Sequence, residues 1–192
     1  MKIRKSEKKL NNKGFSLIEL IVTMAIMIIM VVAATVTVSM LDSSYAEDAE
    51  RGIKDYIAMG RTKSMSVSAK DWYVTVSKED SSYYVYLYKV VLEKKTVDGV
   101  ETTEEKTYLI EKEELGKKID IEFGTSLDST NDITSTNQLE LHFDAATGKI
   151  KQVKLGPTNV AVTGGIGYFK IVRNDYVIKL KVFFNTGKCE RE

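Results

Sequence analysis

Few side chains in this 192-residue chain are placed to do chemistry, and their spacing limits what they can do. There is one His, His142, and one Cys, Cys189. Together they cannot build a Cys/His zinc site, and Cys189 has no partner for an internal disulfide. It reads as a free thiol near the C-terminus, with an intermolecular bond as the alternative. His142 stands beside Phe143 on a strand-like stretch, outside any P-loop, G-x-S-x-G or H-E-x-x-H pattern. The expectation is a protein that is not an enzyme, with no catalytic residue, no metal site and no cofactor. Asp128, Asn131 and Asp132 crowd one loop with hard oxygen ligands that suit Ca²⁺. They match no EF-hand spacing and read as a solvated turn.

A second group is basic. Lys149 and Lys151, and again Lys179 and Lys181, recur at period two, so each pair shares a strand face. Tyr168, Phe169, Tyr176, Phe183 and Phe184 are interleaved with them. Such a stripe can follow the phosphates of DNA. The favoured reading is plainer: these lysines form solvated strand faces or pair with an acidic block elsewhere. Tyr84, Tyr86 and Tyr88 also share one strand face and read as cross-strand packing.

The third group is Lys13-Gly14-Phe15-Ser16-Leu17-Ile18-Glu19-Leu20. Gly14 gives a peptidase an unhindered backbone. Glu19 is the one charged residue in the apolar stretch 15–41. A carboxylate in a membrane helix costs ~2.5–3.5 kcal/mol at the centre and less near the interface, so it calls for a cationic partner. Snorkelling to water is the bland alternative.

The elements that position these groups follow from the charge and hydropathy pattern. Residues 1–14 carry net +5, 15–41 net −1, 42–148 net −9 and 149–192 net +6. Residues 15–41 give about 40 Å of helix, enough for a hydrocarbon core of about 30 Å. Basic residues precede the stretch and acidic ones follow it, which puts the N-terminus in the cytoplasm and the rest outside. Helical spacing continues through Leu41, Tyr45, Ala49, Ile53, Tyr56, Ile57 and Gly60, an apolar stripe on a second, amphipathic half over 42–70. From residue 71 the pattern turns to strands, expected at 72–77, 83–92, 106–111, 118–123, 138–143, 149–155, 166–173 and 176–184, with 125–137 a polar loop. Short turns between them imply antiparallel pairing. The fold class is α+β: a long N-terminal helix, transmembrane then amphipathic, on an antiparallel β domain at 71–192, in two small sheets.

The Gly14-Phe15 junction with Glu19 resembles the N-terminal signal of type IV pilin-like proteins. That resemblance implies cleavage after Gly14 by a prepilin peptidase, with removal of a basic leader at 1–14. It implies N-methylation of Phe15, and assembly through Glu19, which would meet the Phe15 ammonium of a neighbour. The implied partners are other pilin or pseudopilin subunits, prepilin peptidase, an inner-membrane assembly platform, and lipid before assembly. Residues 15–41 would be membrane anchor first and filament core later. Many major pilins carry a Pro where this chain has Val36, and its absence leans toward a minor subunit. Residues 138–150 and 182–188 resemble segments of H-type minor pseudopilins. Two alternatives remain. One is a secreted binding domain cut at the small-x-small sequence Ser44-Tyr45-Ala46. The other is a plain membrane-anchored domain.

Overall fold

The computed structural model describes residues 15–66, 69, 71–97, 100–162 and 165–192. It divides at Met40/Leu41 into two compact units. One helix, α1 (Leu17–Ser66), runs through both. No proline interrupts it, and it continues unbroken across Val36.

In the first unit α1 is apolar along 17–40 apart from Glu19 and a few hydroxyls, and the large side chains described there, from Leu17 to Val36 and again at Met40, are exposed. It is long and apolar enough to cross a membrane, with a mean hydropathy of 2.8 over its best window. The hydroxyls of Thr23, Thr35 and Thr37 donate to the carbonyls of Leu20, Val32 and Ala33 at 2.8–3.0 Å, which removes them as unpaired polar groups.

The described residues of the second unit form eleven strands: β1 (Asp71–Glu79), β2 (Ser82–Val97), β3 (Val100–Lys117), β4 (Asp120–Ser126), β5 (Ser129–Asp132), β6 (Leu139–Phe143), β7 (Ile150–Leu155), β8 (Thr158–Val160), β9 (Ile166–Arg173), β10 (Tyr176–Phe183) and β11 (Lys188–Arg191). They form two sheets, in the orders β3-β2-β1-β6-β7-β8 and β11-β10-β9-β4-β5. Every pairing is antiparallel. The expected α+β class with two sheets is therefore what the chain forms.

Alternation decides which residues enter the core. On β2, Tyr83, Val85 and Leu87 are buried while Tyr84 and Tyr88 lie on the other face. The inner faces meet the domain part of α1 through Ala46, Ala49, Ile53, Tyr56 and Ile57, all buried. The helix crosses the first sheet closely. A Cβ on Gly52 would stand 2.6 Å from Leu115, and one on Gly60 would stand 2.6 Å from Phe143. Two glycines that weaken a helix by propensity are thus the points where helix and sheet approach.

Several expectations are corrected. The buried stripe starts at Ala46: Leu41 and Tyr45 are 51% and 43% exposed, and what reaches the Tyr45 ring is the polar Arg173 guanidinium and not the apolar inner face of a sheet. The stretch 125–137 is not all loop: β5 forms in it by pairing with β4, so ladder hydrogen bonds override a polar composition. β8 and β11 are further short edge strands not expected at all. β3 begins at Val100 rather than residue 106, since 100–105 pair with 92–97 despite lacking an apolar pattern. Asp98 and Gly99, a turn-forming pair in the sequence between β2 and β3, lie outside the described residues.

Candidate functional site

Gly14 lies outside the described residues. Phe15 is 84% exposed, and α1 starts two residues later. The backbone N–H of Ser16 donates to Glu19 Oε2 at 2.9 Å, and the N–H of Ile18 donates to Ser16 Oγ at 3.2 Å. This is a reciprocal capping box: Ser16 is the N-cap and Glu19 the third helical residue. Two N–H groups that open the helix gain partners, and the carboxylate sits at the positive end of the helix dipole. The pattern S-x-x-E ahead of an apolar run is the sequence signal of this cap, a role for Glu19 distinct from both the intersubunit contact and snorkelling to water. Glu19 therefore has a local partner within its own chain.

A second cluster lies on the outer face of the first sheet. His142 Nδ1 is 2.7 Å from Asp71 Oδ2, and its Nε2 is 3.1 Å from Glu140 Oε2. The ring is mostly buried and stacks on Tyr73 with centroids 4.7 Å apart. The stack continues through Tyr88 at 5.0 Å, Tyr86 at a further 5.9 Å and Tyr84 at 6.3 Å. Burial alone would lower the His142 pKa, but the two carboxylates outweigh it and raise it. The bond from His142 is the main cause holding Glu140 below its ordinary value. For Asp71, burial pushes upward, and bonds from His142 and Lys151 outweigh it. With carboxylates on both nitrogens, the ring clamps β1 to β6, most strongly when protonated, and has no nitrogen turned to a hydroxyl or thiol. It borders an open depression of ≈ 350 Å³ with Tyr73, Val90, Gln152 and Lys154.

The basic residues divide between two sheets. Lys149 and Lys151 belong to the β6–β7 hairpin, and Lys179 and Lys181 to β10 in the other sheet. Lys151 pairs with Asp71 at 2.9 Å, Lys154 with Glu140 at 3.3 Å and Lys170 with Glu122 at 2.9 Å. Arg173 pairs with Asp42 at 2.7 Å, and Arg191 reaches Glu47 and Glu50 at 3.6 Å. Lys181 lies over the Tyr168 and Phe183 rings. Phe169 and Phe184 are core residues and offer no surface for stacking a base. Much of the basic C-terminal block thus neutralises the acidic one inside the domain.

Cys189 is half-buried and free, and burial pushes its thiol up to about 12. Such a thiol is a poor nucleophile at neutral pH. Among the described residues, no group of three or more His, Cys, Asp or Glu is arranged to hold a metal ion.

Residues 9–35 match the family model described as the prokaryotic N-terminal methylation motif. The chain carries the type IV prepilin signal, as the resemblance at Gly14, Phe15 and Glu19 implied. That motif implies processing by a prepilin peptidase and assembly with other pilin subunits. Together with the apolar run of α1 it supports anchoring in a membrane. No curated protein and no solved structure gives a match to the chain.

Proposed function

We propose that this chain is a minor pilin or pseudopilin subunit of a type IV pilus, type II secretion or competence filament. It acts by assembly and not by catalysis. A prepilin peptidase cuts after Gly14, Phe15 becomes the N-methylated terminus, and residues 15–41 serve as anchor and then as filament core. The leader faces the cytoplasm and the β domain faces outward, as the charges on either side of the apolar run favour.

One observation carries the reading: the methylation motif at 9–35 coincides with a helix start at which Glu19 is the sole charge of the exposed apolar stretch 15–41. Such a surface needs lipid or other helices around it. Glu19 Oε2 caps its own helix, and its other oxygen is the one offered to a neighbour's Phe15 ammonium. That contact would neutralise both charges and fix the register between subunits. Two further features favour a minor subunit of the H-type pseudopilin kind. Val36 occupies the position of the usual Pro, and residues 138–150 form the β6–β7 hairpin around the Asp144–Lys149 turn.

Glu19→Ala separates this reading from an anchored or secreted binding domain with no filament role. The variant inserts in the membrane and keeps its β domain, while its recovery in sheared filaments falls at least tenfold. Unchanged recovery would remove Glu19 from assembly.

A further inference from the structure

The two edges of the six-stranded sheet are opposite in charge. At one edge, β3 holds Glu101, Glu104, Glu105, Glu111, Glu113 and Glu114 against Lys106, Lys112 and Lys117, net −3. At the other, residues 149–160 hold Lys149, Lys151 and Lys154 and no acid, net +3. Among the described residues β3 pairs with no strand but β2, which leaves its outer edge open as far as Lys117, whose carbonyl accepts from Arg173. β8 covers Val153–Leu155 of β7 and the N–H of Ile150 donates to the Phe184 carbonyl at 2.8 Å, so among the described residues only Lys151 and Gln152 of β7 have no strand neighbour on that side. Natural edges of this length are normally shortened or blocked with charge. β3 carries such charges along most of its length and between them places Tyr108, Leu109 and Ile110 side by side, 42%, 51% and 45% exposed.

Polarity and direction fit these edges to each other. Because all five neighbouring pairs are antiparallel, β3 and β8 run in opposite directions. A second copy placed alongside in the same orientation therefore sets its β8 edge antiparallel to the first copy's β3. The domain part of α1 crosses the strands in this same direction. Gly52 lies against Leu115 of β3, Gly60 against Val74 of β1 and Phe143 of β6, and Arg61 and Met65 against Gly148 beyond β6. Copies whose helices run parallel thus meet β3 to β7–β8. A two-fold pairing of β3 with β3 would reverse the helices and set net −3 against net −3.

We propose that the acidic β3 edge docks on the basic β7–β8 edge of a second copy of this chain, head to tail. The proposal rests on the filament reading only in requiring parallel helices. The contact is heterologous and does not close, so it propagates. Tyr108, Leu109 and Ile110 form its apolar centre, opposite Val160 and Ala161. Lys149 is exposed and offered to the partner, while Lys151 and Lys154 are shared with Asp71 and Glu140. A subunit built this way enters a filament in runs and not as a single cap.

The test uses the full-length chain in detergent micelles. Isotope-labelled and unlabelled chains are mixed, treated with a carbodiimide that joins touching carboxylates and amines, and mapped by mass spectrometry. Within one copy β3 and β7 are four strand spacings apart, about 19 Å, so a direct link between them must join two copies. The expected result is mixed-isotope peptides joining 101–114 to 149–154. Glu104→Lys with Glu105→Lys lowers their yield about fivefold, as loss of one or two exposed ion pairs allows. Lys149→Glu lowers it too, and all three substitutions in one chain recover it. Neutral Glu104→Gln with Glu105→Gln gives a smaller loss and guards against misfolding. Absence of mixed-isotope links, links between two β3 strands, or no recovery in the charge-swapped chain would overturn the docking. Processing after Gly14 is read separately from the N-terminal mass. A processed chain without links overturns the docking alone, and a linked but unprocessed chain overturns the filament reading alone.

Discussion

Residues 17–40 and 41–66 belong to one helix and differ in what covers them. The first half exposes Leu, Ile, Val and Met on every side; the second half buries Ala46, Ala49, Ile53, Tyr56 and Ile57 against its own sheets. Both halves are continuous α-helix. The difference is the partner: the domain half carries its partner in the same chain, and the apolar half must find one in lipid or in other subunits. Glu19 marks the beginning of the half that needs an outside partner. Asp42, held by Arg173 at 2.7 Å and Asn174 at 2.7 Å, marks the beginning of the half that does not. Bonds from Asn174 and then Arg173 hold the Asp42 carboxyl below its ordinary value.

Equal truncations in the two halves test that contrast most strongly. Ile53 is fully buried, and Ile53→Ala should destabilise the β domain by about 2–5 kcal/mol. Met27 is 66% exposed, and Met27→Ala should leave the same unfolding transition within about 0.5 kcal/mol. Denaturant titration in micelles reads both, and comparable shifts would erase the distinction. A smaller effect is expected from adding bulk at the crossing point. A Cβ on Gly60 would stand 2.6 Å from Phe143 and 3.0 Å from Val74, neither of which has a flexible end to move away. Gly60→Val should cost about 1–3 kcal/mol from overpacking. A neutral result would mean that helix and sheet are less tightly seated than these distances require.

The smallest effect belongs to the outer clamp. The His142 pKa is raised in the fold, so its contribution is complete below its ordinary 6.5 and is lost as pH rises through the raised value. Asp71 and Glu140 are lowered, so theirs is complete above 3.8 and 4.5 and is lost as pH falls through the lowered values. The clamp is strongest between those limits, from about pH 4.5 to 6.5. Domain stability should decline on the alkaline side of that window, and His142→Gln should flatten the decline. An unchanged alkaline slope in the variant would assign the decline to other groups.

Much of this was legible in the residues. The apolar run at 15–41 is read by length and polarity, and the switch at residue 71 is read by β-branched and aromatic alternation. The Gly14-Phe15-Glu19 junction is read as a motif. What escaped has a common physical origin in pairing. β5 lies in the polar run Ser129–Asp132, and its strand state comes from hydrogen bonds to β4 and not from side-chain pattern. The first six residues of β3 are threonines and glutamates save Val100, held extended by the facing strand. Tyr45 satisfies helical spacing and yet remains outside the core, because periodicity gives a face and cannot say where the covering sheet ends. His142 could be seen as solitary, but its two carboxylates are 71 and 2 residues away in sequence, and only the β1–β6 register brings Asp71 to it.

The most direct measurement is the intact mass and N-terminal sequence of the chain produced together with an active prepilin peptidase. The expected product begins at Phe15 and carries one added methyl group. A product beginning after Ala46, or a chain left uncut while a control substrate is processed, would contradict the assignment to the prepilin class.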